Sequence, residues 1–171
     1  LGKNEESLQY FDKAIEIDPN NFLAWEYKGM ALGNLAKYEE AIECFDKAIE
    51  LDPDNILSWF KKGFAYFRIA KPTMGDEDRK NYEKALECFD EILHMDSKDP
   101  KIWYGKSQAL QELEMEKESN ECFEHALELG WQPGKDFLYK QNPDDLTPEE
   151  EREFQSNEEK VEDDEFKKDR V

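Results

Sequence analysis

The chain has 171 residues, of which 39% are charged and 38% hydrophobic, and its net charge is −20. A polyanion repels phosphate backbones and anionic bilayer faces, which argues against nucleic acid and against membrane surfaces as partners. No run of 18 apolar residues occurs, so no segment reads as a helix spanning a bilayer.

Taken from the start, residues 4–17 read as one helix. Ser7, Phe11 and Ala14 share a face at spacings of four and three, and Pro19 ends it. Residues 22–35 and 38–51 read as a helix pair, with Trp25, Gly29 and Leu32 on one inner face and Ala41, Phe45 and Ala48 on the other. Asp52-Pro53-Asp54-Asn55 closes the pair with turn residues. A third unit opens at 56–70 with Trp59, Gly63 and Tyr66 and resumes at Ala85, Phe89 and Ile92. Ten extra residues lie between those sets, around 71–80. They are expected to lengthen the second helix in part, with Asp76-Glu77-Asp78 at its N-terminus, where acids suit the helix dipole. Residues 100–113 and 116–129 form the last pair, through Trp103, Ser107 and Leu110, then Ser119, Phe123 and Ala126. The expected organisation is therefore an array over 1–130, made of a half repeat 1–21 and repeats 22–55, 56–99 and 100–130. An acidic extension over 131–171 follows, with a helix from about 148, where Thr147-Pro148-Glu149-Glu150 has capping-box spacing.

Each unit is a copy of its neighbour. Trp25 and Trp59 are 34 residues apart, as are Phe11 and Phe45, and Phe89 and Phe123. Trp59 to Trp103 and Phe45 to Phe89 are 44, the period plus the insertion. Self-similarity at this period means stacked helical units, none of which can bury its apolar stripe alone. A large apolar residue, a small residue four on, a bulky one three on, then Ala, Phe, Ala and Pro, resembles the tetratricopeptide repeat. The match covers residues 4 to about 130, with Ser97 and Trp131 in place of the terminal proline and Ile92 in place of a small residue. The resemblance implies an all-α, right-handed α-solenoid of antiparallel helix pairs. The chain opens inside a repeat, which is read as a missing upstream segment.

Candidate chemistry is sparse. Cys44, Cys88 and Cys122 each precede the repeated phenylalanine position. Helix axes pack about 8–10 Å apart, while a disulfide wants Cα atoms closer than about 7 Å. Free thiols are expected, which fit a reducing, cytoplasmic location. Cys122 and His125 are half a metal site at most, because structural zinc takes four ligands. With no phosphate loop, nucleophile elbow or calcium loop, the expectation is a protein without catalytic activity, metal or cofactor.

The remaining signal is a binding surface. The resemblance implies that first helices line a concave face. In the third unit that face carries Leu57, Phe60, Phe64 and Phe67; its neighbours carry Leu23, Glu26 and Met30 on one side and Lys101, Tyr104 and Gln108 on the other. Three readings stay open for these aromatics: a groove for a partner, plain core, or a surface covered by Trp131, Phe137, Leu138 and Tyr139 of the chain's own tail. The groove reading makes Phe60, Phe64 and Phe67 the floor and Tyr104, Leu23 and Met30 the walls, places Glu26 and Glu112 at the rim, and predicts a protein or peptide partner with apolar anchors and basic flanks. Some family members clamp the C-terminal carboxylate of heat-shock chaperones. The matching positions are Glu26, Met30, Lys61, Lys101 and Gly105, and only Lys101 fits. The expected function is a protein-interaction scaffold; the alternative is an accessory subunit docked on an enzyme through the array. Self-association is expected through the incomplete first repeat, whose Leu8, Phe11 and Ile15 lack a partner helix, or through the tail.

Overall fold

The computed structural model describes residues 2–70, 75–95 and 98–132. Among them every regular element is an α-helix: α1 (Gly2–Ile17), α2 (Phe22–Asn34), α3 (Tyr38–Leu51), α4 (Ile56–Ile69), α5 (Asp76–His94), α6 (Pro100–Glu112) and α7 (Glu116–Glu128). Antiparallel pairing joins α2 to α3, α4 to α5 and α6 to α7, and α1 packs against α2. The array is an all-α solenoid, as the period predicts. The helix expected from about 148, together with Phe137, Leu138 and Tyr139, lies outside the described residues.

The boundaries repeat as regularly as the helices. Each first helix starts at a side-chain cap, which satisfies a backbone donor that would otherwise be left open. Asn21 accepts from the Ala24 amide, Asn55 from that of Ser58, and Asp99 from that of Lys101. Two of the three first helices, α2 and α6, end in a left-handed turn. Ala36 has φ 57° and Glu114 φ 60°. In the first, the Ala36 amide donates to the Gly33 carbonyl and the Lys37 amide to that of Leu32; in the second, Glu114 and Met115 donate to Gln111 and Leu110. This is the Schellman pattern, which closes the last carbonyls of a helix. The equivalent position in the third unit is Ala70, which is extended at φ −61° and ψ 137°. The ten extra residues thus stand where the tight turn stands elsewhere. Part of them becomes helix, since α5 has 19 residues against 14 in α3.

The core lies where first and second helices cross. A Cβ placed on Gly29 would meet the Phe45 ring at 2.7 Å. One on Gly63 would meet the Cys88 Cβ at 3.0 Å and the Phe89 ring at 3.3 Å. Glycine costs about 1 kcal/mol in a helix relative to alanine, and close approach of the partner helix is what offsets that cost here. In the last unit serine replaces both small residues: the Ser119 hydroxyl donates to the Ser107 carbonyl at 2.8 Å, and the Ser107 hydroxyl to the Tyr104 carbonyl at 2.8 Å. Phe45 and Phe89 are buried, as are Ala41, Ala48, Ala85 and Ala126.

Junctions between units share one set of contacts. The indole N–H of Trp25 donates to the Pro19 carbonyl and that of Trp59 to the Pro53 carbonyl, both at 2.9 Å. Lys28 pairs with Asp12 at 2.7 Å, Lys62 with Asp46 at 2.6 Å, and Lys106 with Asp90. These pairs are partly solvated, so each is worth about 0–1 kcal/mol. Their value is in register, because they recur at equivalent positions and tie each second helix to the next first helix.

Candidate functional site

Helices α2, α4 and α6 touch in succession, so residues at equivalent positions on them form one row. The apolar stripe of α4 divides along that row. Phe67 is buried and meets Tyr82 edge-on at 5.3 Å between ring centroids. Phe60 packs on the same core, 6.3 Å from Phe89. Leu57 remains 42% exposed, and Phe64 is half-buried. On α2, Leu23 is 43% exposed, while Met30 is half-buried against the core of Leu32 and Phe45. The expectation of a floor made by Phe60, Phe64 and Phe67 together is thus modified: Phe67 is buried in the core, Phe60 is half-buried against it, and Phe64 is half-buried outside that cluster. Sequence spacing does not separate these cases, because both faces of α4 are apolar.

Glu26 corrects a second expectation. It is only 2% exposed, and its carboxylate accepts from the Ser58 hydroxyl at 2.7 Å. It therefore links α2 to α4 rather than charging a rim; Glu112, the other rim candidate, is half-buried near the end of α6. Lys61 stands one turn beyond Ser58. Burial pushes its pKa down, the Glu26 charge opposes that shift, and Lys101 on α6 adds to it. The row thus holds a buried carboxylate and two mutually repelling ammonium groups. Lys101 is exposed. Sequence reasoning missed Ser58; the available signal was a small hydroxyl on α4, one turn before a lysine that shares its face.

At the far end, Tyr104 is buried rather than forming an open wall. Its hydroxyl accepts from the Gln108 amide at 2.9 Å, and its ring lies 6.1 Å from that of Phe123. Trp131 stacks on it at 4.4 Å with 20° between planes. One tail aromatic named from the sequence therefore sits on the row. The Trp131 indole N–H and the Gln108 Oε1 are both buried without a hydrogen-bond partner.

Elsewhere, Cys44, Cys88 and Cys122 are free and buried. His125 lies edge-on to Trp103 at 4.4 Å and bonds Glu128 through Nδ1 at 3.2 Å. On α1, Tyr10 and Ile17 are 72% and 85% exposed, and Phe11 stacks on Tyr27 at 5.9 Å. Among the described residues no helix is long and apolar enough to cross a membrane.

Sequence models of the tetratricopeptide repeat match residues 10–43, 36–69 and 100–129. No curated protein sequence matches the chain. Among solved structures, MamA (residue 41 to the end) from Desulfovibrio magneticus RS-1 is 25% identical with a TM-score of 0.66, over 75% of this chain and 67% of that one. A MamA double mutant from RS-1 is 24% identical at the same TM-score and coverage. The first TPR of Spaghetti (RPAP3), bound to the HSP90 peptide SRMEEVD, is 24% identical with a TM-score of 0.57, over 71% of this chain and 86% of that one.

Proposed function

The chain belongs to the tetratricopeptide repeat family and is a protein-interaction scaffold, and from that premise we propose that it holds an extended protein segment along the row α2, α4 and α6. The observation that carries this reading is the apolar surface left open there. Leu23 and Leu57, equivalent residues on neighbouring first helices, remain 43% and 42% exposed, and Phe64, two turns along α4 from Leu57, is half-buried. Exposed apolar side chains gathered in one place commonly mark an interaction site. A peptide bound to the similar Spaghetti domain supports a segment as the kind of partner. Glu26, Met30 and Gly105 depart from the chaperone clamp, so the partner is not read as a chaperone tail. It carries apolar anchors for Leu23, Leu57 and Phe64, and an acidic group opposite Lys61 and Lys101. Basic flanks further out are steered by the net charge of −20. The three free thiols support a reducing, cytoplasmic setting.

Phe64→Ala tests the groove. Aromatic anchors at an interface centre commonly contribute 2 kcal/mol or more, so partner affinity should fall by roughly thirtyfold or more, at about 1.4 kcal/mol per decade. Melting should change little. A stability loss of about 3–5 kcal/mol would make Phe64 core instead and defeat the reading.

Self-association through α1 is a second reading: Leu8, Phe11 and Ile15 are half-buried, but Tyr10 and Ile17 stand open on that helix. Light scattering should show concentration-dependent dimers, and a strict monomer at high concentration would exclude them.

A further inference from the structure

Trp131 holds a position that helix termination alone does not require. The chain leaves α7 through Gly130, at φ 95°, with the Gly130 amide donating to the Leu127 carbonyl and the Trp131 amide to that of Ala126. Those backbone bonds complete the cap whatever side chain follows. Yet the ring reaches across to α6 and stacks on Tyr104 at 4.4 Å. It is 92% buried by relative area, its residual exposure being 8%.

The fit is good for the ring's face and poor for its edge. Stacked rings gain from offset parallel contact. However, the indole N–H finds no acceptor, and Gln108, which spends its amide N–H on the Tyr104 hydroxyl, leaves Oε1 without a donor. A buried donor and a buried acceptor without partners each cost stability. Trp131 therefore matches the shape of this place but not its polarity.

We propose that Tyr104 and Gln108 form a subsite for a tryptophan or tyrosine side chain of the bound segment, and that Trp131 fills it in the free protein. The incoming ring takes the Tyr104 face and donates its own N–H or O–H to Gln108 Oε1. Trp131 turns out about Gly130, and its indole N–H gains water. This rests on the reading of the first-helix row as a binding surface, and it adds the class of anchor taken at the α6 end. It also gives that end of the row an internal competitor, so the partner's affinity is set against the closure of Trp131.

The test is an NMR titration of the full chain with N-acetyl-tryptophanamide. For Trp131→Ala the probe should bind at least tenfold more tightly than for the wild type, shifting Tyr104 and Gln108 resonances. Adding Gln108→Leu should remove its preference over N-acetyl-phenylalaninamide, which has no donor at the ring edge. Equal affinity in wild type and Trp131→Ala would overturn the proposal. So would a loss of melting temperature on Trp131→Ala as large as that of Phe89→Ala, since the ring would then be core. If Trp131→Ala does not fold, the wild type decides: the Trp131 indole N–H resonance should move to its water-exposed position as the probe is added, and a fixed resonance refutes the exchange. The two readings fail separately, because the probe reports on Tyr104 and Gln108, whereas Phe64→Ala reports on the groove through affinity for a whole partner.

Discussion

Burial at the α4–α5 crossing pushes the Cys88 thiol up to about 12, against the pull of the Lys62 charge. Burial likewise pushes Cys44 up to about 11, opposed by Lys28. At pH 9 a thiol with pKa 12 holds about a thousandfold less thiolate than protein, and thiolate is the reactive form. The linkage has a definite sign. The folded state keeps the Cys88 proton, while the unfolded chain releases it near pH 9.0. The stability this contributes is complete below pH 9 and is lost as pH rises from 9 through about 12. Urea unfolding at pH 8 and 10.5 should therefore show a larger drop for wild type than for Cys88→Ala, and iodoacetamide should label the folded chain far more slowly than the unfolded one at pH 9. Equal drops would mean that Cys88 is open to water. That these cysteines stay free was legible from their spacing. The burial of Glu26 was not, since its partner Ser58 comes from the next unit, 32 residues on.

The left-handed turns at Ala36 and Glu114 are the least economical feature of the helical elements. A side chain in that region costs roughly 1–2 kcal/mol, and glycine removes the strain at the expense of about 0.4–1 kcal/mol of extra freedom in the unfolded chain. Ala36→Gly should thus stabilise the protein by up to about 1 kcal/mol, read as a higher urea midpoint at unchanged slope. Destabilisation would mean that the Ala36 methyl makes a contact worth more than the strain. Helix positions and their inward faces were readable because small and aromatic residues recur at fixed offsets, as in Gly29 over Phe45 and Gly63 over Phe89. The division of the α4 stripe was not: Phe60 and Phe67 pack on the core formed with α5 and α6, and only a structure locates that contact. Trp131 was named as possible cover, but its seat on Tyr104 depends on the turn at Gly130.

Stability in a stacked array is a sum over neighbours, and the neighbours here are unequal. No described side chain of α1 is fully buried. The largest fully buried side chains include Phe89 and Ile92, both on α5. Hydrogen exchange should therefore run from the α1 end, with α1 amides at least roughly tenfold faster than those of α4 and α5. Uniform protection would show that the array opens as one unit. The corner between α4 and α5 bears on another property of the whole chain. Its ten extra residues replace a tight turn, yet Gly63 still sits against Cys88 and Phe89 much as Gly29 sits against Phe45. Chain length at this corner is therefore uncoupled from the crossing beneath it. A protease site, an affinity tag or a fluorescent domain spliced between Ala70 and Asp76 would leave both helices in register, and the protein expressed as two halves cut there would have the paired α4 and α5 surfaces with which to reassemble.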